Sequence, residues 1–243
     1  PMKIRPLLIA AATAAMVSTS VSANPVLSLQ SISPITMALP SPFPVVSPPG
    51  VVVADNGPGD SSAVDGAVVF IGPIDGYIIN VTTGTGGPIT PGATLDLNSV
   101  DVSSFGPGGS GALEIMFTEN NLSAATGTNL LNFFSAIGGT TEGRISWWLY
   151  VDDGNSLFGL SQLVRMGTFT STPGDLAFSE DASALRMITD TFSMTLRVVI
   201  EHGDGLRTTS FDFNGMTGRI PEPNTLLLIA LGVLGFALIR RRA

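Results

Sequence analysis

The chain has 243 residues, enough for one sizeable domain with processing segments at its ends, and no cysteine. Disulfides, thiolate metal sites and cysteine nucleophiles are therefore excluded. Between residues 24 and 221 there are six arginines, no lysine and eighteen carboxylates, a formal charge of −12. Such a surface repels phosphate backbones, which excludes nucleic acid as a partner and favours a reading of plain solubility.

Residues 2–23 have the three-part plan of a secretory signal peptide. Lys3 and Arg5 precede an apolar, small-residue run over 7–17, and Val21-Ser22-Ala23 places small side chains at the positions read by signal peptidase. Cleavage is expected after Ala23, with the Sec translocon as the route. The segment 24–62 holds eight prolines in its first 35 residues, among them Pro40, Pro42 and Pro44. Proline removes backbone donors and favours extended polyproline conformation, so this stretch reads as an extended spacer or a strap docked along the body.

The body, 63–219, alternates β-type runs with glycine, proline, asparagine and aspartate punctuation. Strands are expected over 67–71, 77–82, 94–102, 113–117, 144–151, 163–170, 192–202 and 207–213. A helix is expected only over 129–136, where Leu130, Leu131, Phe133 and Phe134 are spaced for one. About eight strands without βαβ alternation indicate a mainly β fold, an antiparallel β-sandwich with a jelly roll among its possible topologies. An N-terminal signal helix and a short C-terminal transmembrane helix would flank it.

Chemistry is sparse. The one histidine, His202, stands where a strand meets the turn Gly203-Asp204-Gly205 and reads as a solvated turn residue. No Gly-x-Ser-x-Gly elbow supplies a nucleophile, and one histidine without cysteine leaves too few ligands for zinc. The carboxylates Glu114, Glu119, Glu142, Asp152, Asp153 and Glu201 are the candidates for paired acid–base work of the glycosidase kind. Trp147 and Trp148 could offer a stacking platform to a glycan, but neighbours on a strand face opposite sides, so at most one of them lines a groove. Asp152-Asp153-Gly154-Asn155 and the turn from Asp55 to Asp60 put hard oxygen donors on glycine-rich loops. Calcium would suit Asp152, Asp153 and Asn155, although the same residue types are ordinary turn formers. No other cofactor and no catalytic residue is expected.

At the far end, residues 220–243 contain Pro221-Glu222-Pro223, an apolar run over 225–239 and Arg240-Arg241-Arg242. As a helix the apolar run spans about 22 Å, short of a ~30 Å hydrocarbon core. The arginines resist translocation and keep that end cytoplasmic, which agrees with the cations at the other end and leaves the body outside. In this order the three elements resemble the PEP-CTERM sorting signal of Gram-negative bacteria. The resemblance implies recognition by an exosortase, cleavage near Pro221-Glu222-Pro223, and an organism that makes exopolysaccharide. The run from 143 through 212 is also similar to a body recurrent in PEP-CTERM proteins. The expectation is an exported envelope or biofilm-matrix protein without activity of its own, anchored in the inner membrane as a precursor and then passed to the cell surface or matrix. The alternative is a module that binds exopolysaccharide, or less readily a glycanase.

Overall fold

The computed structural model describes residues 24–32, 50–86, 94–105, 111–123, 130–189 and 191–218. The expected signal and membrane helices, with Val21, Ala23, Pro221, Glu222, Pro223, Arg240, Arg241 and Arg242, lie outside these. Twelve strands make up the described chain: β1 Val26–Ile32, β2 Val51–Ala54, β3 Ala67–Ile74, β4 Tyr77–Thr85, β5 Thr94–Ser104, β6 Ala112–Ser123, β7 Leu130–Thr141, β8 Arg144–Asp152, β9 Gln162–Thr170, β10 Ala177–Met187, β11 Thr191–Glu201 and β12 Arg207–Gly218. They form two six-stranded sheets, with strand orders β2-β1-β6-β11-β8-β9 (sheet A) and β10-β7-β12-β5-β4-β3 (sheet B). All pairings between them are antiparallel.

The pairings of the last eight strands are nested. β5 lies against β12, β6 against β11, β7 against β10 and β8 against β9. One long hairpin rolled over itself produces this order, the pattern of a jelly roll. The hairpins β1-β2 and β3-β4 then widen one sheet each.

Side-chain alternation makes the core. Inward positions of sheet A (Leu113, Ile115, Phe117, Leu196, Val198) meet inward positions of sheet B (Leu95, Leu97, Val100, Phe133, Phe213) in one cluster. Phe133 and Phe192 cross the gap edge to face, with ring centroids 5.7 Å apart. Each such side chain contributes about 1.5–3 kcal/mol by leaving water.

The eight expected strands are all present, most of them longer than expected at one or both ends. Four were not foreseen. The helix expected over 129–136 is instead part of β7, held between β10 and β12. Its Leu131, Phe133 and Ile137 face the core while Leu130 and Phe134 face out, so the same apolar spacing satisfies a period of two once two neighbours supply the hydrogen bonds. The proline-rich region contributes β1 and β2 at the edge of sheet A, since Val26 to Ile32 is a proline-free run with alternating burial. β10 reads Ala-Phe-Ser-Glu-Asp-Ala-Ser-Ala-Leu-Arg-Met, a composition of low strand propensity that an edge position against β7 overrides.

Candidate functional site

β8 decides the fate of both tryptophans. Ile145, Trp147, Leu149 and Val151 point into the core, whereas Trp148 and Tyr150 point away from it. Trp147 stacks on Phe178 of sheet B, with centroids 5.7 Å apart and planes inclined by 20°. Trp148 lies on the outer face of sheet A yet is only 8% exposed. The two indoles are thus separated by the sheet, as strand geometry requires.

Register assembles a polar cluster around Trp148. Arg197 on β11 is directly opposite Trp148 on one side and Met116 of β6 on the other. Two residue pairs along, on the same face, Glu114 of β6 is opposite Gln30 of β1 and Val199 of β11. Arg197 donates through Nε and Nη2 to Glu114 Oε1, both at 2.6 Å, and Gln30 Nε2 donates to Glu114 Oε2. The guanidinium carbon sits 4.8 Å from the Trp148 ring centre, a cation–π contact. Ile32, Ala112, Tyr150, Val199, Leu160 and Leu163 pack around this group. The Tyr150 hydroxyl is buried without a hydrogen bond of ordinary geometry, and Arg197 is the polar group that faces it. Burial pushes its pKa up, and the neighbouring Arg197 offsets part of that rise.

This cluster has an aromatic floor, a paired charge and hydrogen-bonding groups, the chemistry that holds a polar neutral ligand such as a sugar. Its groups are at present turned toward one another, since Arg197 covers the indole face a sugar would stack on. Trp148 was named from sequence, with Trp147, as a possible glycan contact. Its partner Arg197 was missed, although one arginine amid alternating apolar residues of Met194-Thr195-Leu196-Arg197-Val198 is a legible sign of a paired charge.

The loop after β8 closes the lower part of the same face. Asp152 accepts from the backbone N–H groups of Gly154 (3.2 Å) and Ser156 (3.0 Å). Burial works to raise its pKa, but hydrogen bonds from Ser161, Ser156 and Gly154 outweigh it, and the carboxyl is held below its usual range. Asn155, in the left-handed conformation (φ 55°), accepts from the Asn121 N–H at 2.6 Å and donates to Asn121 Oδ1 at 2.8 Å. Phe158 N–H donates to Thr118 Oγ1, and Ser193 Oγ to the Ser156 carbonyl, so the loop is pinned across β6 and β11. Asp153 accepts from the Thr189 N–H, at 3.4 Å. Of the oxygens proposed for calcium, those of Asp152 cap their own turn, while Asp153 and Asn155 accept from distant backbone N–H groups. In the other aspartate turn Asp60 accepts from Asn56, Ser62 and Val69, and Asp55 from Gly66. Among the described residues no three of His, Cys, Asp and Glu gather as a metal site would require.

The other carboxylates are dispersed. Glu114 points outward, whereas Glu119 is fully buried and reaches toward Gly86, the residue after β4 of sheet B. Glu142 accepts from the N–H of Thr208, and Glu201 pairs with Arg144 at 3.4 Å. An open cleft of about 420 Å³ lies at this end of the sandwich, lined in part by Glu142, Thr172, Leu176 and Arg207.

His202 corrects the sequence reading. It is no solvated turn residue but is 6% exposed. Nδ1 is hydrogen-bonded to Ser104 Oγ (2.9 Å) and Nε2 to Thr209 Oγ1 (2.7 Å), which in turn meets Thr141 Oγ1 at 2.7 Å. The strand ends lie closer together than turn chemistry suggests, and the ring becomes the link between β5, β11 and β12. Burial, with Arg207 adding to it and Glu142 opposing it, lowers the pKa to about 4. The imidazole is thus neutral at physiological pH and engaged on both nitrogens, with no carboxylate hydrogen-bonded to it.

Among solved structures, TmCBM61 in complex with β-1,4-galactotriose is similar over 58% of this chain and 88% of its own, with 11% identity and a TM-score of 0.32. That likeness is too slight to carry a site or ligand across. No curated protein matches the chain. Residues 219–242 match the PEP-CTERM protein-sorting motif, and they include Pro221-Glu222-Pro223 and the three arginines. The chain is therefore a sandwich followed, directly after β12 ends at Gly218, by a PEP-CTERM protein-sorting motif.

Proposed function

We propose that the protein is exported, held briefly in the inner membrane by residues 220–243, and released to the cell surface or matrix by an exosortase, the sandwich having no catalysis of its own. The single observation that carries this reading is the sorting motif beginning at the residue after the last strand. Folded body and processing signal are thus adjoining, with no further domain to translocate between them. Its test is fractionation of cells expressing the full chain and a chain ending at Gly218. The full chain is expected in the membrane fraction and, where the exosortase is present, at the surface in cut form. The same soluble periplasmic distribution for both would overturn it.

A second reading, binding of the organism's exopolysaccharide, is favoured by one feature, the Trp148–Arg197–Glu114–Gln30 cluster with the buried Tyr150 hydroxyl beside it. Rotation of Arg197 off the indole would open a stacking face with a carboxylate and an amide at its rim. Retention of the full chain on that polymer, lost in Trp148→Ala and kept in an Arg165→Ala control, is the expected result. Absence of retention by the wild type removes this reading.

A further inference from the structure

The outer face of sheet B is divided along its strands. At one end the outward positions of β5 and β12 include Asn98, Asp101, Ser210 and Asp212, all exposed. At the other end β7, β10 and β12 present apolar residues. Leu130 of β7 is directly opposite Met187 of β10, and Phe134 of β7 is directly opposite Met216 of β12. Leu185 stands diagonally between them, opposite Asn132. These five side chains are 38–60% exposed, with Met187 the most open. The other outward positions among them are Thr94, Asn132, Ser183 and Gly218, without charge, and the first carboxylates along this face are Asp181, opposite Ala136, and Asp96, on the same rung opposite Asn214. Scattered apolar residues on a surface need no explanation, but five on adjoining strands with no charge between them mark a contact surface.

The chain's own path says what it contacts. A β-carbon on Gly218 would come within 2.6 Å of the Phe134 ring, so that ring lies over the last residue of β12. The patch is thus at the exit to the sorting motif. Only residues 219–224 separate Gly218 from the apolar run that begins at Thr225. The seven steps from Gly218 to Thr225 extend to at most about 25 Å. While that run is in the membrane, the patch cannot leave the neighbourhood of the headgroups. The acidic end of the face, repelled by anionic lipid, is turned the other way.

We infer that the face formed by Leu130, Phe134, Leu185, Met187 and Met216 rests on the lipid surface in the anchored precursor. Burial of these side chains at the headgroup–acyl boundary, a depth of about 5–10 Å, fixes how the sandwich stands on the membrane. It holds the segment with Pro221-Glu222-Pro223 at the interface, where a membrane protease acts. This rests on the reading of 220–243 as a membrane anchor.

The chain has no cysteine, so single substitutions give clean labelling sites. Full-length Met187→Cys, Ser210→Cys and Leu231→Cys, each carrying an environment-sensitive fluorophore, are reconstituted in phosphatidylethanolamine–phosphatidylglycerol vesicles with or without spin-labelled acyl chains. The expected result is deep quenching at 231, several-fold stronger quenching at 187 than at 210, and a blue-shifted emission at 187. Strong quenching at 231 with equal, weak quenching at 187 and 210 overturns the lipid contact and leaves the anchor standing. Weak quenching at all three sites overturns the anchor as well. A blue shift at 187 that depends on protein concentration, without lipid quenching, assigns the patch to a second copy of the chain and also overturns the inference.

Discussion

The two outer faces of this sandwich are built by the same alternation and end differently. On sheet A the outward residues include Glu114, Thr118, Ser146, Trp148, Tyr150 and Thr195, all buried. On sheet B they include Asp101, Ser210, Asp212, Met187 and Leu185, all exposed. A strand therefore specifies two faces without specifying which of them meets water. Apart from the Tyr150 hydroxyl, these polar groups of sheet A are tied to one another or to the loop after β8, because a buried polar group left without a partner costs about 1–3 kcal/mol. Those of sheet B are left to solvent. Substitutions on face A should accordingly be read in stability and those on face B in contacts.

The largest expected effect tests the sealed face. Arg197→Ala leaves Glu114 buried without its cation, at a cost of about 3–5 kcal/mol in chemical denaturation. Paired replacement, Arg197→Met with Glu114→Gln, should recover most of that loss, since no charge is then left unpaired. A single substitution costing under ~1 kcal/mol would mean that water reaches the pair and that face A is not sealed.

The seam between the sheets supplies the next scale. His202 has a folded pKa of about 4 against 6.5 when unfolded, so the unfolded chain takes up the proton first on acidification. Its contribution is complete above pH 6.5 and is lost as pH falls from there toward 4, on the order of 3 kcal/mol in total. Denaturant midpoints measured across that window should fall for the wild type and stay nearly level for His202→Gln. Asp152 works in a lower window. Its depressed pKa contributes stability above the ordinary 3.8 that disappears below it.

Two smaller effects concern the open face. Asp96 is held protonated more readily than usual, by burial first and by Asp212 second. Its raised pKa means that stability present below 3.8 is lost as pH rises, so Asp96→Asn should raise stability at neutral pH by a few tenths of a kcal/mol. Finally, Leu185→Ser with Met187→Ser should change stability by no more than ~0.5 kcal/mol while reducing vesicle contact. A large loss of stability there would show that the patch is packed in the folded chain and that the contrast between faces fails.

Legibility differed between the kinds of residue. Strands such as β8 and β11 were plain because their apolar residues recur with a period of two between turn-forming residues. β7 was misread because Leu130, Leu131, Phe133 and Phe134 fit a helix stripe as well as two strand faces, and only β10 and β12 on its flanks decide between them. Of the candidate site, opposite placement of Trp147 and Trp148 followed from strand geometry alone. The capture of Trp148 by Arg197 did not, since it depends on β8 and β11 being neighbours in one register. His202 was misjudged for the same reason. A turn sequence says where the backbone reverses, not whether Ser104, 98 residues away, stands against the ring.

Local chemistry by itself thus determined the alternating strands, the absence of thiol chemistry and the sorting motif, each readable without the fold. Tertiary structure alone decided the nested pairing of β5 to β12, the sealing of one outer face and the apolar patch beside Gly218. These depend on contacts between residues far apart in the chain, and a covalent sequence orders only its neighbours.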